Sequence, residues 1–167
     1  MATGNTLCVF TPQQNEPPSA NYATLDTRNQ HLVLDFDPAA DEAANFKAVL
    51  PRHYAGGGIT VYVHYAMTSA TSGTVVWDVS FERIGDGVQD IDSDGFAAIQ
   101  HSGAVTVPGT SGNVDIASIA FTDGGQIDSV AVGELFRLKV SRDADSTNAT
   151  DNATGDAELL AVELKET

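Results

Sequence analysis

The feature that most constrains the fold is an alternation of apolar and polar side chains with a period of two residues. It recurs in about eight segments separated by turn-forming residues, and none of the segments has a convincing helical period. Alternation of this kind is typical of β-strands that bury one face against a core. The sequence therefore predicts an all-β, two-sheet antiparallel sandwich. A jelly roll is the preferred arrangement, and an immunoglobulin-like sandwich is the alternative.

The clearest alternation lies in two consecutive segments, 59–67 and 74–84. In the first segment the odd-numbered residues are apolar and are expected to face the core, whereas Tyr62 and His64 fall on the opposite face. In the second, Trp77 has apolar neighbours at period two, which favours a core position over a sugar-stacking surface. Because only a short turn separates the segments, we expect them to pair as an antiparallel hairpin.

The first 30 residues differ in character from the rest of the chain. A short apolar segment is followed by residues 11–18, which hold three of the chain's six prolines. Proline cannot donate a backbone hydrogen bond, so this stretch is not expected inside a sheet. We therefore expect residues 1–30 to form an extended arm with one edge strand, and residues 31–167 to form the jelly-roll domain. The apolar side chains of the arm are expected to dock on a neighbouring subunit or another partner, with a groove of the same chain as the alternative. The candidate interface residues of the arm are Leu7, Val9 and Phe10.

The charge of the chain argues against two classes of partner. The formal net charge is −15 at pH 7, from 23 acidic and 8 basic residues. Nucleic-acid binding requires clustered Lys and Arg, and anionic membranes attract basic segments, so neither partner is expected.

The single cysteine, Cys8, cannot form an intrachain disulfide. No secretory leader or membrane-spanning run is visible, so synthesis in a cytoplasm is expected.

One acidic segment is similar to the first half of a calcium-binding loop. Asp90, Asp92 and Asp94 alternate and are followed by Gly95, a spacing that lets carboxylate oxygens converge on one ion. However, His101 stands where an EF-hand loop places its bidentate Glu, and the flanking residues have a strand pattern. We therefore favour an exposed acidic turn and no cofactor, with calcium bound by the three aspartates as the alternative.

No catalytic motif is found in the sequence. The four histidines lack a metal-ligand spacing, and no G-x-S-x-G nucleophile elbow occurs. The run Gly56-Gly57-Gly58 is not followed by the Lys-Ser/Thr pair of a phosphate loop. The expectation is a protein that is not an enzyme. A β-sandwich hydrolase is kept as an alternative, because its two carboxylates are defined by their spacing in three dimensions.

Several short segments together resemble a group of small structural proteins of tailed phages. They are 17–29 (PPSANYATLDTRN), 34–37 (LDFD), 50–57 (LPRHYAGG), 72–77 (SGTVVW) and 141–143 (SRD). The resemblance implies a jelly-roll decoration, or cement, protein that binds the major capsid protein as a homotrimer and stabilises the shell from the outside of the virion. We assign Arg52, His53 and Tyr54, from the third of these segments, to the interface as well.

The alternative function is a receptor- or carbohydrate-binding β-sandwich module of a phage fibre or tail. Such a module would present an exposed aromatic shelf on which a sugar ring can stack. Fold-level analogy does not choose between these functions, because one fold serves many functions.

The resemblance predicts that the purified protein is a homotrimer. The high negative charge makes free subunits repel one another and disfavours nonspecific association, so a stable assembly has to bury apolar surface. Light scattering at moderate salt should give three times the mass of the monomer. A clean monomer at micromolar concentration would count against a trimer in solution.

Overall fold

A computed structural model describes residues 4–167, which form twelve β-strands and two short 3-10 turns. No helix in this part of the chain is long and apolar enough to cross a membrane. The strands are β1 (Thr6–Phe10), β2 (Thr24–Arg28), β3 (His31–Phe36), β4 (Ala43–Val49), β5 (Ile59–Met67), β6 (Thr74–Val75), β7 (Trp77–Ile84), β8 (Gln100–His101), β9 (Val105–Thr106), β10 (Asp115–Phe121), β11 (Leu135–Arg142) and β12 (Ala157–Glu166), and the 3-10 turns are Pro12–Gln14 and Gly125–Ile127.

Most of the strands belong to two antiparallel sheets that share one core. The large sheet has the strand order β10-β5-β12-β3-β2, and β1 joins it by pairing with β12. The small sheet has the order β4-β11-β7-β8, while the short strands β6 and β9 pair with each other. Buried residues of both sheets form a single apolar cluster between them. The predicted all-β, antiparallel sandwich is confirmed.

Aromatic contacts join the two sheets across the core. Phe36 and Tyr65 of the large sheet pack edge-on against Trp77 of the small sheet, with ring centroids 5.0 and 5.4 Å apart. Phe121 packs in the same way against Phe81, at 5.0 Å. Trp77 is fully buried, so its predicted position in the core is confirmed.

The predicted hairpin between segments 59–67 and 74–84 is wrong. β5 lies inside the large sheet between β10 and β12, whereas β7 lies in the small sheet between β11 and β8. The chain therefore crosses from one sheet to the other between Met67 and Trp77. This crossing lets the apolar faces of the two strands pack against each other, which neighbouring strands of one sheet cannot do.

The predicted N-terminal arm contains β1, which is the edge strand expected there, and β1 and β2 both belong to the large sheet. β1 pairs antiparallel with β12, and Phe10 stacks on Phe46 of the small sheet with ring centroids 5.2 Å apart. The expected boundary at residue 30 falls in the tight turn that joins β2 to its partner β3. The prolines lie in the loop between β1 and β2, which leaves the backbone of β1 free to pair. Residues 1–3 of the predicted arm lie outside the described residues.

Because Phe10 is buried in the core, Phe10→Ala should lower the free energy of unfolding by about 3–5 kcal/mol. The neighbouring Val9 is 53% exposed, so the matched variant Val9→Ala should change it by no more than about 0.5 kcal/mol. Urea unfolding followed by circular dichroism measures both. If Phe10→Ala unfolds at the same urea concentration as Val9→Ala, β1 does not contribute to the core.

Candidate functional site

The large sheet has one face that points away from the core, and we call it the outer face. Strand alternation places about every second residue of the sheet on this face, and at its centre these side chains are exposed or half-buried. The central residues of the outer face are Ile116, Ser118 and Ala120 of β10, Thr60, Tyr62 and His64 of β5, Ala161, Glu163 and Lys165 of β12, and Thr6 and Val9 of β1.

Two aromatic rings, Tyr62 and His64, lie at the centre of the outer face. Tyr62 is opposite Ser118 on one neighbouring strand and Glu163 on the other. His64 is opposite the short side chain of Ala161. Both rings are half-buried, so part of each is accessible. The sequence predicted that these two residues point away from the core, and the structure confirms it.

Two hollows lie at the ends of the outer face. One, of about 280 Å³, adjoins Tyr62 near the end of β12. The other, of about 330 Å³, lies beyond His64 and is called the Arg28 hollow here. The residues lining the Arg28 hollow include Arg28, His31, Val33, Ala66, Glu158 and Leu160. The outer face is therefore a surface with a recess at each end rather than a uniform plane.

A partly buried ion pair forms one wall of the Arg28 hollow. Arg28 Nη1 donates to the Glu158 carboxylate, and also to the Met67 carbonyl oxygen at 2.9 Å. Asp35 is the cross-strand neighbour of Glu158, and its Oδ1 atom is buried without a hydrogen-bond partner in the described chain. Burial raises the pKa of Asp35 to about 6, and the charges of Glu158 and then Asp26 act in the same direction. This carboxyl group is therefore stabilised in its protonated form.

Of the three arm residues predicted for an interface, only Val9 is exposed. Leu7 and Phe10 are buried in the core of their own chain, because β1 extends the large sheet. The groove that takes up these apolar side chains thus belongs to the same chain, which is the alternative that the sequence left open. Val9 lies on the outer face opposite Glu163, and an interface role for it stays a prediction.

The interface residues predicted in segment 50–57 have different surroundings from one another. Tyr54 is buried, and its hydroxyl group donates to Asp123 Oδ1 at 2.8 Å. Burial, together with this bond to Asp123, raises the pKa of Tyr54 to about 12. Tyr54 therefore holds two loops together, whereas Arg52 and His53 are exposed. A partner for Arg52 and His53 stays a prediction.

The acidic segment 90–94 forms an exposed turn. The Asp90 carbonyl oxygen accepts the Asp94 N–H at 2.8 Å, and Asp90 Oδ1 accepts the Asp92 N–H at 3.0 Å. The geometry agrees with the exposed turn that the sequence favours. A metal ion bound by Asp90, Asp92 and Asp94 stays a prediction.

A different set of carboxylates comes together where two loops meet. Oxygen atoms of Asp41, Asp143 and Asp145 all lie within 4.8 Å of one another. Among residues 4–167, these three form the group of potential metal ligands that lie close enough together to share one ion. Asp41 lies between β3 and β4, and the other two follow β11. Sequence reasoning missed this cluster because 104 positions separate Asp41 from Asp145, and spacing along a chain carries no signal for a contact between distant loops.

Comparison with known proteins identifies the fold. No family model matches the chain, and no curated protein is similar to it in sequence. A family 36 carbohydrate-binding module, solved in complex with calcium and xylotriose, superposes with a TM-score of 0.50 at 14% identity, over 95% of this chain and 100% of that one. The CBM22-1 xylan-binding domain of Xyn10C from Paenibacillus barcinonensis superposes with a TM-score of 0.50 at 10% identity, over 99% of this chain and 97% of that one. At these identities the likeness shows the fold alone, and it confirms the jelly-roll sandwich.

The raised pKa of Asp35 predicts a pH-dependent effect of Asp35→Asn. An aspartate has a pKa of 3.8 when unperturbed and about 6 at this position. The folded state therefore binds more protons between these values, and the contribution of Asp35 to stability falls as the pH rises from about 4 to 6. An asparagine cannot ionise, so Asp35→Asn avoids the cost of a buried negative charge. The variant should therefore be more stable than wild type by about 1–2 kcal/mol at pH 7 and by much less at pH 4.

Urea unfolding at the two pH values measures this difference. Asp86→Asn is the matched control. Because Asp86 is exposed, this substitution should change the free energy of unfolding by the same small amount at both pH values. An Asp35→Asn variant that is no more stable than wild type at pH 7 would show that burial does not penalise this carboxylate.

Proposed function

We propose that this protein is a non-catalytic carbohydrate-binding module that holds its ligand on the outer face. The observation that carries the proposal is the position of Tyr62, whose accessible ring lies at the centre of an open sheet face between the polar side chains of Ser118 and Glu163. The solved structures with the same fold and a TM-score of 0.50 include a module in complex with xylotriose and a xylan-binding domain. These structures support the proposal only through the jelly-roll fold that they share with this chain.

The chemistry of the outer face suits a sugar. A pyranose ring has an apolar C–H face and a rim of hydroxyl groups, so it is bound well by an aromatic ring with polar side chains beside it. Tyr62 supplies the ring, and Ser118, Glu163 and His64 supply hydrogen-bonding groups. Glu163 is already oriented, because its Oε1 accepts a hydrogen bond from Thr6 Oγ1 at 2.5 Å.

The size and charge of the surface narrow the class of ligand. From Thr60 to Ala66 the outer face extends along β5 by six residue steps, which is about 20 Å at about 3.3 Å per step, enough for several sugar rings in a row. The net charge of −15 repels uronic acids and sulfated sugars. The preferred ligand is therefore a neutral oligosaccharide or polysaccharide chain.

The carbohydrate proposal replaces capsid decoration as the favoured function. The phage origin, the position on the virion, the major capsid protein as partner and the homotrimer stay predictions from the sequence resemblance. A carbohydrate-binding module of a phage fibre or tail agrees with both the resemblance and the geometry of the outer face.

Substitution of Tyr62 provides the test. Tyr62→Ala should weaken binding to a neutral polysaccharide at least tenfold, about 1.4 kcal/mol, because it removes the stacking surface. Affinity electrophoresis against soluble neutral polysaccharides, with xylan first, measures the change, and a glycan array extends the search. Tyr22→Ala is the matched control, since Tyr22 is a 51% exposed tyrosine outside the outer face, and it should bind as well as wild type.

Two results would contradict the proposal. Equal binding by Tyr62→Ala and wild type would show that the ligand does not stack on the outer face. The absence of binding to any glycan would remove the carbohydrate function altogether. Co-sedimentation with phage particles would then test capsid decoration.

A further inference from the structure

The loop between β3 and β4 meets the loop between β11 and β12 at a cluster of carboxylates. The Asp145 N–H donates to Asp41 Oδ1 at 3.1 Å, which joins the two loops. Asp143 is almost completely buried, and its carboxylate accepts the backbone N–H groups of residues 147–149 at 2.8 to 3.1 Å. These bonds hold the Asp143 carboxylate in one orientation.

The negative charge of the cluster is not balanced by a cation in the described chain. No ion pair between residues 4 and 167 involves Asp41, Asp143 or Asp145. Arg142 is next to Asp143 in the sequence, but its guanidinium group is bound to Asp151. Carboxylates at this separation repel one another, and a bound cation would remove the repulsion.

Asp78 provides separate evidence for a ligand. Asp78 is only 5% exposed, and its Oδ1 atom has no hydrogen-bond partner in the described chain. Asn148 joins Asp78 to the cluster, because it donates its side-chain amide to Asp78 Oδ2 at 2.7 Å and its backbone N–H to Asp143 Oδ2 at 2.8 Å. Buried carboxylate oxygens are normally satisfied, so an unpartnered one beside three other carboxylates indicates a missing positive ligand.

We propose that Asp41, Asp143 and Asp145, with Asp78 as a fourth carboxylate, form a calcium-binding site that joins the two loops. Calcium binds oxygen ligands at about 2.3–2.6 Å, so two ligands on opposite sides of the ion are about 5 Å apart. The oxygens of the three aspartates lie within 4.8 Å of one another, which meets this limit. Calcium also tolerates irregular geometry, as expected for a site built from loops, whereas magnesium requires a near-octahedral shell at shorter distances.

Calorimetric titration of the full chain with calcium chloride tests the site directly. Millimolar calcium should give a saturable heat and raise the melting temperature by several degrees relative to EGTA, because the ion binds only the folded state. Magnesium at the same concentration should give a smaller shift. The absence of both heat and shift with calcium would overturn the proposal, and so would an equal response to magnesium.

Isosteric variants locate the ion. Asp41→Asn and Asp145→Asn change exposed residues, so each should weaken calcium binding at least tenfold without lowering the melting temperature in EGTA. Asp92→Asn, in the exposed turn 90–94, is the matched control and should bind calcium like wild type. Unchanged binding in both cluster variants, or loss of binding in Asp92→Asn, would overturn the proposal. The assay contains no sugar, so its outcome is independent of the carbohydrate function.

Discussion

The packing of Phe36 and Tyr65 against Trp77 is the interaction on which the rest of the structure depends. In both contacts one ring comes from each sheet, so the contacts form only when the two sheets face each other. Large aromatic side chains bury much apolar surface, and an edge-on pair adds about 0.5–1.5 kcal/mol beyond that burial. Because Tyr65 takes an inward position on β5, strand alternation turns Tyr62 and His64 outward. The candidate sugar-binding surface is thus the reverse side of the strand that builds the core.

A second constraint acts on the long loop that precedes the last strand. Arg142 is fully buried, and its guanidinium group binds the Asp151 carboxylate through two hydrogen bonds of 2.9 and 2.7 Å. Removing one partner of a buried pair of this kind costs about 3–5 kcal/mol, because the other charge is left without compensation. The pair anchors both ends of the segment 143–150. It thereby places Asp143 close to Asp41 of the β3–β4 loop, and Asn148 links Asp143 to Asp78 of the small sheet.

The success of the sequence predictions depended on whether a residue's environment is set by its own strand. Alternation along one strand predicted that Trp77 is buried and that Tyr62 and His64 point outward, since side-chain direction depends only on position in the strand. The same alternation could not show which strands are neighbours, so segments 59–67 and 74–84 were wrongly paired. Phe10 was assigned to a partner surface for the same reason. Its groove is built by β4 and β12, which lie far away in the sequence.

The sequence by itself determined the fold class, the inward and outward faces of the long strands, and the strong negative charge. These properties follow from local spacing and from composition, which need no knowledge of contacts. Only the tertiary structure decided that β1 belongs to the large sheet, that the outer face continues across four strands around Tyr62, and that Asp41 meets Asp143. Each of these depends on which distant segments pack together. That choice is made by the summed burial of the two sheets, and no short stretch of sequence records it.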